Sequence, residues 1–528
     1  MAKDKQESGE LLPENAPVFA AESLGATDVE DALVDSQTTT LHYEIESKIG
    51  EVTSPKWKLF VPISYGTTGG QLTTVEPDEL ESSGQTTKGS PTQVAATAEF
   101  SANVKHSNLQ DFVPGMLRAK YQERGSTARK ETITNPETVT AVVSDGYTTT
   151  NTGGDDWSVP TGAELLIYAS GFQNAANNGR KIVTATTATK VSVENLTAAT
   201  DKGGRLEVIG VRTPATADYK KAASGALAKL DCEADISKLK VVVGEWVQVV
   251  NDDSNPSMPI FYGRVASVAT SGGKSSINFS NVVGIGGFDG ENVDNKRFAI
   301  YIANRYINNP ARKDIRDCTY QFKRTVKDSE VQTITGSLAN TMSMSVPSVA
   351  KMESTMGFIS RRALTNDTNT ISGSNEIAAT DDTMYNTSSD VKLVSLYKDS
   401  DKADLFADFG DLSVDFNNGL TARYKVGSKF SLGASRAAFA ATMSGTAYFR
   451  DLTPIESAEE NHTVGGVILA SNESGGVCVD MPGMTVVGDV AISRGEPVTI
   501  NVTNSGFKGA EGYTTRFLFY PYLEAHGE

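Results

Sequence analysis

The stretch SLANTMSMSV, residues 337–346, sets the fold class. Leu338, Met342, Met344 and Val346 share one parity, and Ser and other small polar residues occupy most of the positions between them. Successive side chains of a strand point to opposite faces, so this pattern predicts a strand with one face buried and the other in water. The alternation continues toward the C-terminus in DLSVDF (411–416), AAFAATMSGTAYF (437–449) and VTINVTNSGF (498–507). Toward the N-terminus, LHYEIESKIGEV (41–52), KWKLFVPISYG (56–66) and VAATAEFSANV (94–104) also read as strands. Thr, Ser, Gly, Ala and Val dominate the chain, a mixture that favours short strands joined by Gly/Asn/Asp turns. The expected class is mainly β.

One helix is predicted, over residues 107–121, where Leu109, Phe112, Val113, Met116 and Leu117 fall at helical spacing. Ser107 and Gln110 fit a capping box at its start, and Pro114-Gly115 predicts a kink or break within it. Two polar stretches interrupt the strands. Thr67 to Gln93 reads as a long loop or extended hairpin, and Asn366 to Asp390 as a second Thr/Ser/Asn/Asp-rich loop.

Residues 140–305 read as an insertion of two small β modules. GAELLIYASGFQNAANNGRKIVTATTATKVSVENL (162–196) and VGEWVQVVNDDSNPSMPIFYGRVASVATSGGKSSINFSN (243–281) share an order of Gly, apolar strand, polar turn, Gly-Arg, Val-rich strand and alternating strand. Gly162 and Gly179-Arg180 correspond to Gly244 and Gly263-Arg264, a weak internal repeat. The expected organisation is an acidic arm over 1–40, a first body region over 41–140, modules over 141–215 and 216–305, and a second body region over 306–528.

The net charge of −17 disfavours a simple nucleic-acid binder, which needs Lys and Arg to neutralise phosphates. Residues 1–40 contribute −7 of it, with nine acidic residues against Lys3 and Lys5. No run approaches 18 apolar residues and the N-terminus lacks a basic-then-apolar layout, so the chain is expected to be made and kept in a cytoplasm. Cys232, Cys318 and Cys478 are odd in number and in no CxxC spacing, and are expected reduced and partly buried.

Catalytic constellations are not evident. GGKS at Gly272–Ser275 lacks the earlier Gly of a phosphate-binding loop and reads as a turn. His42, His106, His462 and His526 are scattered and read as surface or strand-edge residues. The acidic clusters at Asn251–Asp253 and Phe288–Asp294 lack calcium-loop spacing and read as solvated turns. Trp57, Trp157 and Trp246 read as core or interface residues. No catalytic, cofactor-binding or metal-binding residue is expected.

The layout resembles the major tail tube proteins of long-tailed, siphovirus-like bacteriophages. The resemblance rests on ESKIGEVTSPKWKLFVPIS (46–64), the acidic-Ser loop VEPDELESSGQTTKGS (75–90), VAATAEFSANVKHSNLQDFVPGMLRAKY (94–121), the segment Thr319 to Ser360, the inserted modules and FLFYPYLEA (517–525). It covers most of residues 41–525. The arm and the stretch Asn366–Asp390 have no counterpart.

This resemblance implies a β-sandwich or barrel core whose inner sheets close into a barrel within stacked rings, forming the virion tail tube that conducts DNA during ejection. Rings would be hexamers, or pseudo-hexameric trimers if the two body regions are related domains. The implied partners are further copies of the chain, tape-measure, tail-terminator and baseplate or tip proteins, and duplex DNA passing the lumen without specific binding, with no membrane. Assembly contacts are expected at Glu76, Asp78, Glu79, Glu81 and Ser83 in the first polar loop and at Leu338, Met342, Met344 and Val346. The rival readings are a baseplate or decoration protein of a virion and a polysaccharide-binding or polysaccharide-degrading β protein.

Overall fold

The computed structural model describes residues 39–525 except 51–55, 77–87, 124–136, 150–158, 188, 195, 199–203, 224–225, 254–257, 289, 328–329, 366–374, 400–404, 406–407 and 492–496. All but Thr39 and Thr40 of the expected arm, and Trp157, lie outside these residues. The protein is mainly β. Strands between residues 137 and 301 pair only among themselves in a 13-stranded sheet, whereas strands before and after that span share a 19-stranded sheet, apart from a two-stranded ribbon of Thr421–Arg423 and Gly433–Ser435.

The body strands needed below are, in chain order, β1 (Thr40–Ile45), β2 (Lys56–Phe60), β3 (Ser64–Tyr65), β4 (Gly69–Val75), β5 (Ser90–Asn103), β6 (Thr319–Lys327), β7 (Glu330–Pro347), β8 (Glu353–Ser360) and β9 (Arg362–Thr365). They continue with β10 (Val391–Lys398), β11 (Phe409–Asn417), β12 (Ala440–Tyr448), β13 (Thr463–Asn472), β14 (Gly475–Ala491), β15 (Thr499–Gly506) and β16 (Arg516–Tyr520). Helix α1 (His106–Leu117) follows β5, and α2 (Thr453–Glu459) follows β12.

The pairings repeat. In the first half, β1 pairs with β6, β6 with β7, β7 with β8 and β9, β8 with β5, and β5 with β3 and β4. In the second, β10 pairs with β13, β13 with β14, β14 with β15 and β16, β15 with β12, and β12 with β11. Every one of these pairings is antiparallel, and each half places its helix between corresponding strands. The body is therefore two topological repeats, with β7 of the first joined to β11 of the second.

Helix α1 shows how the core handles its irregular sequence. Pro114 lies inside it and supplies no N–H, so the Gln110 carbonyl accepts from the Tyr121 hydroxyl at 3.0 Å instead. Gly115 N–H donates to Tyr320 Oη at 3.2 Å, and that hydroxyl donates to the Asp111 carbonyl at 2.8 Å, entering the helical ladder. The helix runs through to Leu117, so the expected break does not occur.

The expected capping box is also absent. Lys105 is the N-cap residue, and Ser107 N–H donates at 2.6 Å to the carboxylate of Asp382, which lies in the second polar stretch. His106 is buried rather than superficial, between Tyr385 Oη at 3.2 Å and Gln110 Nε2 at 2.9 Å and edge-on to Phe519. His42 is likewise buried in β1.

Six strands of the insertion close on themselves: Glu137–Val143, Gly146–Thr149, Lys190–Val193, Gly179–Thr187, Glu164–Ser170 and Arg205–Arg212, the last pairing back onto the first. The next series runs Phe298–Tyr301, Trp246–Asn251, Met258–Ser271, Lys274–Gly284, Ala228–Cys232, Ala217–Lys220 and Val293–Lys296. Its final strand leads directly back into Phe298–Tyr301. Gly210 pairs with Tyr301 where the two series meet, and a Cβ there would stand 1.9 Å from the Ile300 carbonyl oxygen. Gly272 and Gly273, both at positive φ, form the two-residue turn that the GGKS motif marks.

A third apolar cluster, including Trp246, Tyr262 and Tyr301 from the insertion and Tyr397, Cys478 and Tyr520 from the body, seals the two sheets together. Within that junction Asp480 is fully buried. It accepts from Trp246 Nε1 and Tyr513 Oη at 3.0 Å each and from Arg264 Nη2 at 3.2 Å, while Arg264 also reaches Glu511 at 2.7 Å. The Gly-Arg mark of the second module thus holds an ion pair buried between insertion and body.

Candidate assembly surfaces

Because β7 pairs with β11, the repeats share one continuous sheet in the order β3/β4, β5, β8, β7, β11, β12, β15, β14. Its inner face enters the main core through Phe100, Phe358, Met342, Met344, Val414, Met443, Val502 and Met484. Parity then sends the intervening residues outward. One outward row crosses the sheet as Asn103, Glu353, Ser345, Ser413, Ser444, Thr503 and Val487, and the next as Ser101, Thr355, Ser343, Asp415, Thr442, Ser505 and Thr485.

Pro347, Asp411, Thr446, Asn501 and Asp489 form a third row on one side, and Glu99, Gly357, Thr341, Asn417 and Ala440 a fourth on the other. Hydroxyls bond across strands, Ser101 to Thr355 at 2.8 Å and Ser413 to Ser444 at 2.9 Å. No lysine or arginine occurs in these four rows. Their only ionisable side chains are Glu99, Glu353, Asp411, Asp415 and Asp489.

The sheet ends in two unpaired edges among the described residues. Pairing of β13 to β14 stops at Thr485, so Val486–Ala491 are paired only with β15. At the other end β3 and β4 are paired only with β5. Between the repeats the same situation is resolved: pairing of β6 to β7 stops at Leu338, and β11 pairs with Thr341–Pro347 of β7 beyond it. Apolar residues stand in water near both open edges, with Val487 67% exposed and Val61, Ile63 and Leu72 all above half.

The predicted assembly residues are divided by this geometry. Met342, Met344 and Val346 are buried in the subunit's own core and Leu338 is half-buried, on a strand flanked on both sides, so they are corrected from assembly contacts to core and near-core positions. An apolar stripe reads the same whether a neighbour or the chain itself covers it, which is why the sequence misplaced them. Glu76 is exposed at the end of β4, whereas Asp78, Glu79, Glu81 and Ser83 lie outside the described residues. The hairpin that carries them is exposed on both faces of β4 beyond Gly69.

The outward Ser/Thr rows were missed as a site, although their signal lay in the polar half of the very alternation that identified the strands. Among the described residues no three His, Cys, Asp or Glu side chains converge in a way that could hold a metal. Burial raises the Cys232 thiol to about 12 and also raises that of Cys478 well above the usual thiol range. Compared with models of known protein families and with curated protein sequences, the chain matches none.

Proposed function

We propose that this chain is the subunit of a bacteriophage tail tube, assembling head-to-tail into rings that stack around a channel for DNA. The observation that carries the reading is a continuous sheet whose four outward rows are polar, weakly acidic and without lysine or arginine, and whose two ends are unpaired among the described residues. Each phosphate neutralised by a lysine or arginine would add affinity through counterion release, so a conduit for duplex DNA works best without them. An open edge is normally an aggregation hazard, and ring closure removes it.

The repeats suggest how closure occurs. As β11 of the second repeat pairs with β7 of the first, β3/β4 of one copy would pair with the free edge of β14 in the next. Three copies would supply about 24 strands, which at about 4.8 Å spacing and about 40° tilt gives a backbone diameter of about 48 Å. That leaves a bore wider than a nucleic-acid duplex after side chains are placed. The insertion would then lie on the outside.

Negative-stain electron microscopy of the purified chain at rising concentration tests this. Hollow tubes of uniform width with threefold rings are expected. A discrete closed oligomer that never stacks would overturn the reading in favour of a baseplate or decoration role.

A further inference from the structure

Residues 418–439, which join β11 to β12, fold back over the first repeat. Asn418 Nδ2 donates to the Met116 and Ala339 carbonyls at 2.9 and 3.0 Å, Ser431 Oγ to the Arg361 carbonyl at 3.3 Å, and Val94 N–H to the Lys429 carbonyl at 2.9 Å. Between this connection and the body lies a cleft of about 300 Å³, lined by Arg361, Arg362 and Lys425 with Thr335, Ser428 and Phe430. The Arg362 guanidinium lies over the Phe430 ring at 4.8 Å.

Among the described residues none of these three cations forms an ion pair. Glu46 is the neighbouring acid, but its carboxylate accepts from Gly50 N–H at 2.9 Å and Gly336 N–H at 2.7 Å and acts on Arg361 only through space. Three cations converging without an ion pair among the described residues, in a chain of net charge −17, make a local well for an anion. Ile49 and Leu432, each about half exposed, and the fully exposed Val426 add apolar surface around it.

We infer that this cleft binds the acidic N-terminal segment of the same copy, through the run DVEDALVD at residues 28–35. Asp28, Glu30, Asp31 and Asp35 supply the charge, and Val29, Leu33 and Val34 match the apolar surroundings. The reach is adequate. Thr39 is tied down by a hydrogen bond from Tyr65 Oη to its carbonyl at 3.3 Å. From Thr40 the sheet leads through Thr325 and Val331 to the Thr335–Arg362 pair. That path is three strand spacings across and four residues along, a separation of about 20 Å. Chain extending back from Thr39 covers about 13 Å to Asp35 and about 36 Å to Asp28, which brackets it. The other acidic segment, Glu76–Glu81, starts at the end of β4, which carries it about 20 Å beyond Gly69.

This inference does not rest on the tail-tube reading. Its test is photo-crosslinking of the full chain carrying benzoylphenylalanine in place of Leu33, in an equal mixture of isotopically light and heavy chains at low salt. Adducts within one copy to peptides containing Arg361–Arg362 or Lys425–Leu432 are expected, with yield falling at least about tenfold in Arg361→Glu/Arg362→Glu. Adducts elsewhere, adducts mainly between light and heavy chains, or no adduct would each overturn it. Loss of the adduct on adding a short DNA duplex would reassign the cleft to nucleic-acid phosphates.

Discussion

At Gly115 an added methyl group would sit 2.5 Å from the Tyr320 ring, the ring whose hydroxyl completes the α1 ladder. Gly115→Ala must therefore push apart the helix and β6, and a loss of about 1–3 kcal/mol is expected from overpacking, read as a lower urea midpoint. His106 offers a pH signature instead. Burial lowers its imidazole from 6.5 to about 4; the nearby Asp382 opposes that shift, and Arg305 adds to it. The folded state thus binds this proton less readily than the unfolded chain. Its contribution to stability is full above pH 6.5 and is lost progressively as the pH falls toward 4. Thermal melts from pH 7 to 4 should decline less steeply in His106→Gln than in the parent chain, and parallel curves would assign the acid sensitivity to other groups. Neither role was legible in the sequence, because Tyr320 lies 205 residues from Gly115 and Tyr385 lies 279 from His106.

The β4–β5 hairpin is the element whose fate separates folding from assembly. Among its described residues the root packs, with Gly69 against Gln332 and Gly70 against Ala363, while Leu72 and Val75 are exposed. Replacing residues 71–92 by a short Gly-Ser turn should leave the melting temperature within a few degrees of the parent while abolishing tube growth in electron micrographs. Normal tubes would show that the hairpin is dispensable. Alternation legible in the sequence locates most body strands, because period-two patterning is local, whereas the hairpin is marked only as a polar stretch that reads as a long loop or an extended hairpin. Pairing is not local. The match between β7 and β14 as repeat equivalents left no visible sequence likeness, and α1 takes its N-terminal acceptor from Asp382 rather than Ser107. In the insertion, by contrast, the two modules share a run of Gly, apolar strand and Gly-Arg, so a weak repeat is visible in the sequence itself.

On the scale of the whole molecule, two repeats present a common polar face whose four described rows carry acids but no lysine or arginine. Ser345 and Thr503 both point outward, on strands separated by two others, so lysines placed there would neither face each other directly nor disturb the core beneath. Ser345→Lys/Thr503→Lys subunits should fold and assemble as the parent does. If that face lines a channel, each ring of three copies then gains about six cations, enough for a steep, salt-dependent affinity for duplex DNA by counterion release. A short fluorescent duplex should therefore be retained by variant tubes at low salt and released on raising it, while parent tubes let it through. Lysines on the outside of a tube would also bind DNA, so the duplex must in addition be protected from nuclease in variant tubes. Binding without protection would put the polar face on the exterior, and that would remove the main support for a conducting tube while leaving the paired-repeat architecture intact.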